Sequence, residues 1–344
     1  MPPYYGGPGA QDRLESAPFD ALVEVSLPAY DLSDRLVVGV ASSALFDLTD
    51  SDAYFRAHGE GAYARYQDEH VDVPLAPGPA MPFIARLLEL NDLRPLDPLV
   101  EVIVLSRNDA STGLRVMRSV EHHGLPVTRA FFTQGRSPLE YIPALGMSLF
   151  LTQNQDDVLT AVAAGHPAGH VLPSSAVYEA NDTGLRIAFD FDAVLATDES
   201  ERVFQTDGLD GFVANEVAKR HVAHAPGLLK PLLEDLNRIQ RIEQDLQAVD
   251  PGYEPRLRIA LVTARAAPAH ERAVQSLRSW GVTINDAFFL GGIEKATVLG
   301  VLRPHLFFDD QHGHLSGALG HVAGVHVPYG VANETLAQAA GIEI

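Results

Sequence analysis

Cysteine is absent from the 344 residues. Neither a disulfide framework nor a cysteine-ligated zinc site can form, a pattern that suits a reducing compartment. Positive charge is scarce as well: 25 Lys and Arg stand against 45 Asp and Glu, a formal net charge of −20. A nucleic acid backbone or an anionic membrane surface would be repelled, so neither is expected as a partner. A small anionic substrate would need a local cation. Nowhere does an apolar run approach the ~20 residues of a membrane helix. The opening "MPPYYGGPGAQDRLESAP" has no basic segment followed by an apolar one, as a signal peptide would, and a cytoplasmic location is the expectation. Residues 1–18, rich in Pro and Gly, read as a flexible tail.

What the chain does contain is an internal repeat. At an offset of 149, which carries Ala41 onto Asp190, Leu45 meets Val194, Asp50 meets Glu199, Phe55 meets Phe204, Gly59 meets Gly208 and Tyr63 meets Phe212. At an offset of 157, Ser106 meets Thr263, Gly124 meets Gly281 and Phe131-Phe132 meets Phe288-Phe289, and "SLFLTQ" falls on "HLFFDD". The two offsets differ by eight residues, placed around "RIEQDLQAVDPGYEP". This order implies two copies of one domain, 19–178 and 179–344, divided in the turn-rich stretch "LPSSAVYEANDTG".

Each copy reads as a short apolar strand (35–41; 185–190), a charge-rich helical stretch (51–70; 198–222) and a Pro-started helix (80–91; 226–247). A second strand (100–105; 257–262), a helix (111–123; 268–280), "RAFF" or "DAFF", another helix and a strand ending at 151 or 308 follow. Alternating strands and helices predict an α/β fold, a parallel sheet with helices on both faces and its site at the carboxyl ends of the strands. In the second copy those ends carry Asp190 and Asp192 in "IAFDFDAVL", Thr263 after "IALV", Lys295 in "GGIEKATVL", and Asp309-Asp310 after "HLFF". Asp190 and Asp192 are two positions apart, so in an extended strand both carboxylates face one side and repel unless a cation lies between them. Singly, a DxD is as readily a helix cap, a Lys a surface group and a strand-ending Thr a cap. Arg265, His270 and Arg272 follow Thr263 and read equally as a solvated helix face or as substrate contacts. The histidines at 305, 312, 314, 321 and 326 match no zinc spacing.

In their order and strand context these motifs resemble the haloacid dehalogenase superfamily. "AFDFDAVL", "LVTARAAPAHERA", "FFLGGIEK" and "FFDDQ", with "VASSALFD" and "VLSRND" in the front half, are similar to the cytosolic type I 5'-nucleotidases and their bacterial relatives, over about residues 35–331. The resemblance implies two tandem Rossmann-like domains of that superfamily, the second with a helical cap at about 195–255. It also implies Mg²⁺-dependent removal of phosphate from nucleoside 5'-monophosphates, AMP being the expected substrate. Asp190 would be the nucleophile and Asp192 the acid–base. Asp190, Asp192 through its backbone carbonyl, and Asp309 would hold the metal. Thr263 and Lys295 would bind phosphate, and Asp310 would support Lys295 or a metal-bound water. Another small-molecule phosphatase of the superfamily, or a nucleotide sensor without turnover, remains open at this point.

Laid over the first copy, Asp190 falls on Ala41, Asp192 on Ser43, Lys295 on Pro138, Asp309 on Thr152 and Asp310 on Gln153, and only Thr263 finds a counterpart, in Ser106. The first copy is therefore expected to be catalytically dead. It would cover apolar surface of the second, or bind a nucleotide through the Ser42-Ser43 turn and Arg107.

Overall fold

A computed structural model describes residues 30–178 and 182–342. The expected tail at 1–18, and residues 179–181 at the expected boundary, lie outside the described residues. The strands are β1 (Leu36–Val40), β2 (Val100–Ser106), β3 (Arg129–Phe132), β4 (Leu149–Thr152), β5 (Ala168–Val171), β6 (Leu185–Phe189), β7 (Leu257–Thr263), β8 (Asp286–Phe289), β9 (Leu306–Asp309) and β10 (Ala323–His326). They form one sheet in the order β3-β2-β1-β4-β5-β10-β9-β6-β7-β8, which reads the same from either edge. Within each half the neighbours are parallel, Leu36 opposite Val100 and Leu185 opposite Leu257. The halves join through the antiparallel pair β5 and β10, where His170 faces His326.

Strands covered on both faces read as continuous apolar runs, as "VIVL" and "IALV" do here. Alternate residues enter different cores. Leu36, Val38, Val40, Ile187, Phe189, Leu306 and Phe308 enter a core that continues across both halves. On alternate positions Val37, Ile103 and Phe150 serve a core built mainly from the first half, and Ala188, Val262 and Phe307 one built mainly from the second. The helices Met81–Glu89 and Lys230–Val249, each with Pro in its first turn, bury Phe83, Ile84 and Leu87, and Leu232, Leu233 and Leu236, in the shared core.

The charge-rich stretch of each half is a helix broken at a glycine. Thr49–His58 and Glu60–Glu69 meet at Gly59 (φ 76°), and the segment Glu199–Ala218 breaks at Gly208 (φ 68°, ψ −168°). Across the break two rings pack edge to face, Phe55 on Tyr63 at 5.3 Å and Phe204 on Phe212 at 6.4 Å. "RAFF" and "DAFF" prove to be edge strands. β5 and β10, "AGHV" and "AGVH", have no expectation from the sequence, because four residues containing Gly and His lack the β-rich pattern that marks a strand.

Candidate active site

Asp190 follows the last residue of β6, Thr263 ends β7, and Asp309 ends β9 with Asp310 after it; Lys295 opens the helix Lys295–Leu302. All five are buried. The sheet topology brings them together because β7, β6 and β9 are neighbours. Lys295 Nζ lies 2.9 Å from Asp190 Oδ2 and 2.7 Å from Asp309 Oδ2. Asp309 Oδ1 also accepts the Gln311 N–H at 2.8 Å and lies 3.2 Å from His314 Nδ1. Asp190, Asp309 and Asp310 each offer a carboxylate oxygen within 4.8 Å of the others.

Burial pushes the Asp190 carboxyl up to about 6, with Lys295 working against the shift and Asp309 and Asp192 adding to it. Asp310 is pushed up to about 9, by burial first and then by Asp190 and Asp309; its Oδ1 is buried and makes no hydrogen bond among the described residues. Burial would raise Asp309 too, but Lys295 and His314 hold it below the ordinary carboxylate range. For Lys295 burial opposes the charge, and Asp190 and Asp309 outweigh it, raising the ammonium above its usual value. One ammonium thus faces three carboxylates. An all-oxygen donor set short of positive charge, with one oxygen still unpartnered, fits a hard divalent cation such as Mg²⁺.

Asp192 takes another direction. The turn Phe191–Leu195 passes through Ala193 at φ 56°, left-handed backbone that a non-glycine residue rarely adopts. The Asp192 carboxylate receives a two-pronged contact from Arg265, Nε to Oδ2 at 2.8 Å and Nη2 to Oδ1 at 2.7 Å. The repulsion expected between the paired aspartates is relieved by a separate cation for each, Lys295 for Asp190 and Arg265 for Asp192. Arg265 and Arg272 are 3% and 1% exposed, so the reading of a solvated helix face does not hold for either. Arg265 donates to Glu216 Oε2 at 2.5 Å, and Arg272 to Glu216 Oε1 at 2.9 Å and Glu199 Oε2 at 3.0 Å. Sequence reasoning passed over Glu216. Its one available signal was an acid inside a charge-rich helical stretch, which normally marks a solvated face.

A cleft of about 520 Å³ opens on this site. Its polar wall holds Asp190, Asp192 and Thr263, and its apolar wall Phe204, Leu209 and Phe212 from the broken helix. The first half has a cleft of about 570 Å³, lined by all six residues that the offsets predict: Ala41, Ser43, Ser106, Pro138, Thr152 and Gln153. Arg107 also lines it, but its guanidinium is held by both oxygens of Asp157 and by the Gly135 carbonyl.

Comparisons with known proteins match nearly the whole chain to one family. The profile of the 5'-nucleotidase family matches residues 28–334. Human Cytosolic 5'-nucleotidase 1B is 36% identical over 298 residues, 84% of this chain and 48% of that protein. The chain thus spans about half the length of the curated relative it matches. No solved structure matches.

Proposed function

Because the chain belongs to the cytosolic type I 5'-nucleotidase family, we propose that it is a phosphoric monoester hydrolase, a magnesium-dependent 5'-nucleotidase that converts nucleoside 5'-monophosphates, AMP foremost, to nucleoside and phosphate. The observation that carries this reading is the buried group of Asp190, Asp309 and Asp310 around Lys295, beside a cleft whose other wall is aromatic.

Phosphoryl transfer asks for an in-line nucleophile, a proton for the leaving oxygen and cations against the charge of the transferring group. An oxygen of Asp190 attacks phosphorus, the bond to the 5' oxygen breaks, and an aspartyl-phosphate forms. Asp192 gives the departing oxygen its proton. It then takes one from the water that attacks the same phosphorus and frees phosphate and Asp190, a contribution of roughly 10²- to 10⁴-fold in rate. Thr263 and Lys295 hold phosphoryl oxygens. Asp190, Asp309 and the Asp192 main-chain carbonyl would hold Mg²⁺, with Asp310 beside them, and the ion would supply charge against the phosphoryl oxygens.

We read the fold as two haloacid dehalogenase-type domains from an internal duplication, the first catalytically silent. We read the cap, expected at about 195–255, as the broken helix Glu199–Ala218, which borders the cleft, while Lys230–Val249 packs in the shared core. Arg107, already paired with Asp157, favours a structural role for the first half over nucleotide binding.

The test is phosphate release across a panel of nucleoside monophosphates and sugar phosphates. Chelator should abolish it and Mg²⁺ restore it, while Ca²⁺, with longer bonds and looser geometry, should restore little. Full activity in chelator contradicts the metal reading. Preference for sugar phosphates would move the assignment to another phosphatase of the superfamily, and no release at all to a nucleotide sensor.

A further inference from the structure

Arg265 is too elaborately held to be a bystander. Besides Asp192 and Glu216 it donates to Ser200 Oγ at 2.9 Å and the Ala269 carbonyl at 3.1 Å. Its guanidinium carbon lies 5.0 Å from the centre of the Phe191 ring and 5.4 Å from that of Phe212. A planar fork fixed on so many sides presents its remaining two donors in one direction, and that direction is the Asp192 carboxylate. Asp192 sits on a short turn with its side chain 20% exposed, whereas the side chain of Arg265 is 1% exposed. Of the two, Arg265 is the fixed part.

The first half supplies an internal control. At matching positions Arg272 is Arg115 and Ser276 is Ser119, and their bonds recur. Arg272 Nε donates to the Val222 carbonyl at 2.9 Å, and Arg115 Nε to the Val73 carbonyl at 2.9 Å. Ser276 Oγ accepts the His224 N–H at 2.9 Å, and Ser119 Oγ the Leu75 N–H at 3.0 Å. Glu216 becomes Gln67, which still accepts from Arg115 Nη1 at 3.2 Å. These bonds tie the broken helix and the loop after it to the helix His270–Ser279 in the second half and Thr112–His122 in the first, so they belong to the fold. The charged line Asp192–Arg265–Glu216 is different: its members become Ser43, Asn108 and Gln67 together, in the half that has also lost its counterparts of Asp190 and Asp309. The fold stands without those charges, and they are present where the acids are present.

We propose that Arg265 is a positioning residue: it orients the Asp192 carboxylate for proton transfer and, through Glu216 on the broken helix, makes the seating of that helix over the cleft and the placement of the acid one mechanical unit. The inference rests on the phosphatase reading and on Asp192 as its acid–base.

The leaving group separates this role from a structural one. Departure of a nucleoside 5' oxygen needs a proton, whereas 4-nitrophenolate leaves without one, and kcat/KM covers only the steps through that departure. Arg265→Lys keeps the charge and loses the fork. It should lower kcat/KM for AMP about 10²-fold and leave that for 4-nitrophenyl phosphate little changed. Asp192→Asn should show the same selectivity, and the double variant should be no worse than Asp192→Asn alone, since residues that act as one are not additive. If Arg265→Lys is poorly folded, Arg265→Asn with Glu216→Gln places there the neutral residues that the first half carries, Asn108 and Gln67, and it should give the same selectivity with the native circular dichroism. Equal losses on both substrates, or additivity in the double variant, overturn the positioning role while leaving the phosphatase reading intact. Loss of selectivity in Asp192→Asn itself removes the acid assignment, and the positioning role with it.

Discussion

Asp190 and Asp309 share one ammonium, and the sharing decides how the site responds when a member is removed. Asp190→Asn is nearly isosteric and removes a buried charge, so turnover should vanish while circular dichroism and the melting temperature hold. Activity near wild type would sink the nucleophile assignment. Lys295→Met should instead destabilise the metal-free protein by about 3–5 kcal/mol, because it leaves uncompensated buried carboxylates; urea denaturation in chelator measures this. A third prediction concerns His305, away from the cleft. Its Nδ1 lies 3.1 Å from the Arg186 N–H, its ring stacks on Tyr178, and its Nε2 is buried without a partner among the described residues. Burial, followed by Arg186, pushes it down to about 4. The unfolded chain therefore binds this proton first. The stability that neutral His305 provides is complete above about pH 6.5 and declines as pH falls towards 4, by up to about 3 kcal/mol. Between pH 7.5 and 4.5 the melting temperature of His305→Gln should fall less steeply than that of the wild type; an equal fall would contradict the assignment.

At the scale of elements, the broken helix is the piece that joins fold to chemistry. Gly208 bends it at φ 68° and ψ −168°, a region that essentially only glycine occupies, and a Cβ there would meet no atom within 4 Å. Gly208→Ala is thus a test of backbone strain free of steric collision. It should cost about 1–3 kcal/mol, seen as a lower urea midpoint or, if only this segment loosens, as a raised KM. No change in either would mean that the bend is not held by its glycine. The first two strands of each half, the broken and Pro-started helices and the helix after the second strand were legible in the sequence, because a continuous apolar run or a Pro-started amphipathic period is a local signal, whereas the helices Gln155–Ala163 and Glu334–Ala339 carried no expectation. β5 and β10 were not legible: each is a strand because of what it pairs with.

For the whole molecule, the shared core and the β5–β10 seam make the halves mutually dependent. Residues 180–344 alone would bare β10 as an edge and half of a common apolar face. That fragment should aggregate, as light scattering would report, and a soluble, fully active fragment would show that the first half has some other role. Ser43→Asp in an Asp190→Asn background should restore nothing, since Ala41, Pro138 and Thr152 still leave that cleft without nucleophile, lysine or metal ligand.

The sequence by itself determined which residues could do chemistry. The order of aspartates, threonine and lysine at apolar run ends identifies the carboxyl edge of a parallel sheet, and the internal repeat shows which half lacks acids at those positions; both are properties of spacing. Only the tertiary structure decided the pairing of charges: that Lys295 serves Asp190 and Asp309, that Asp310 Oδ1 has no partner among the described residues, and that Arg265 and Glu216 are interior. Burial of an ion depends on partners 49 or 73 residues away in the chain. A local window sees such a residue as a polar position on a helix or loop, and the energy that keeps it inside belongs to contacts that exist only once the chain has folded.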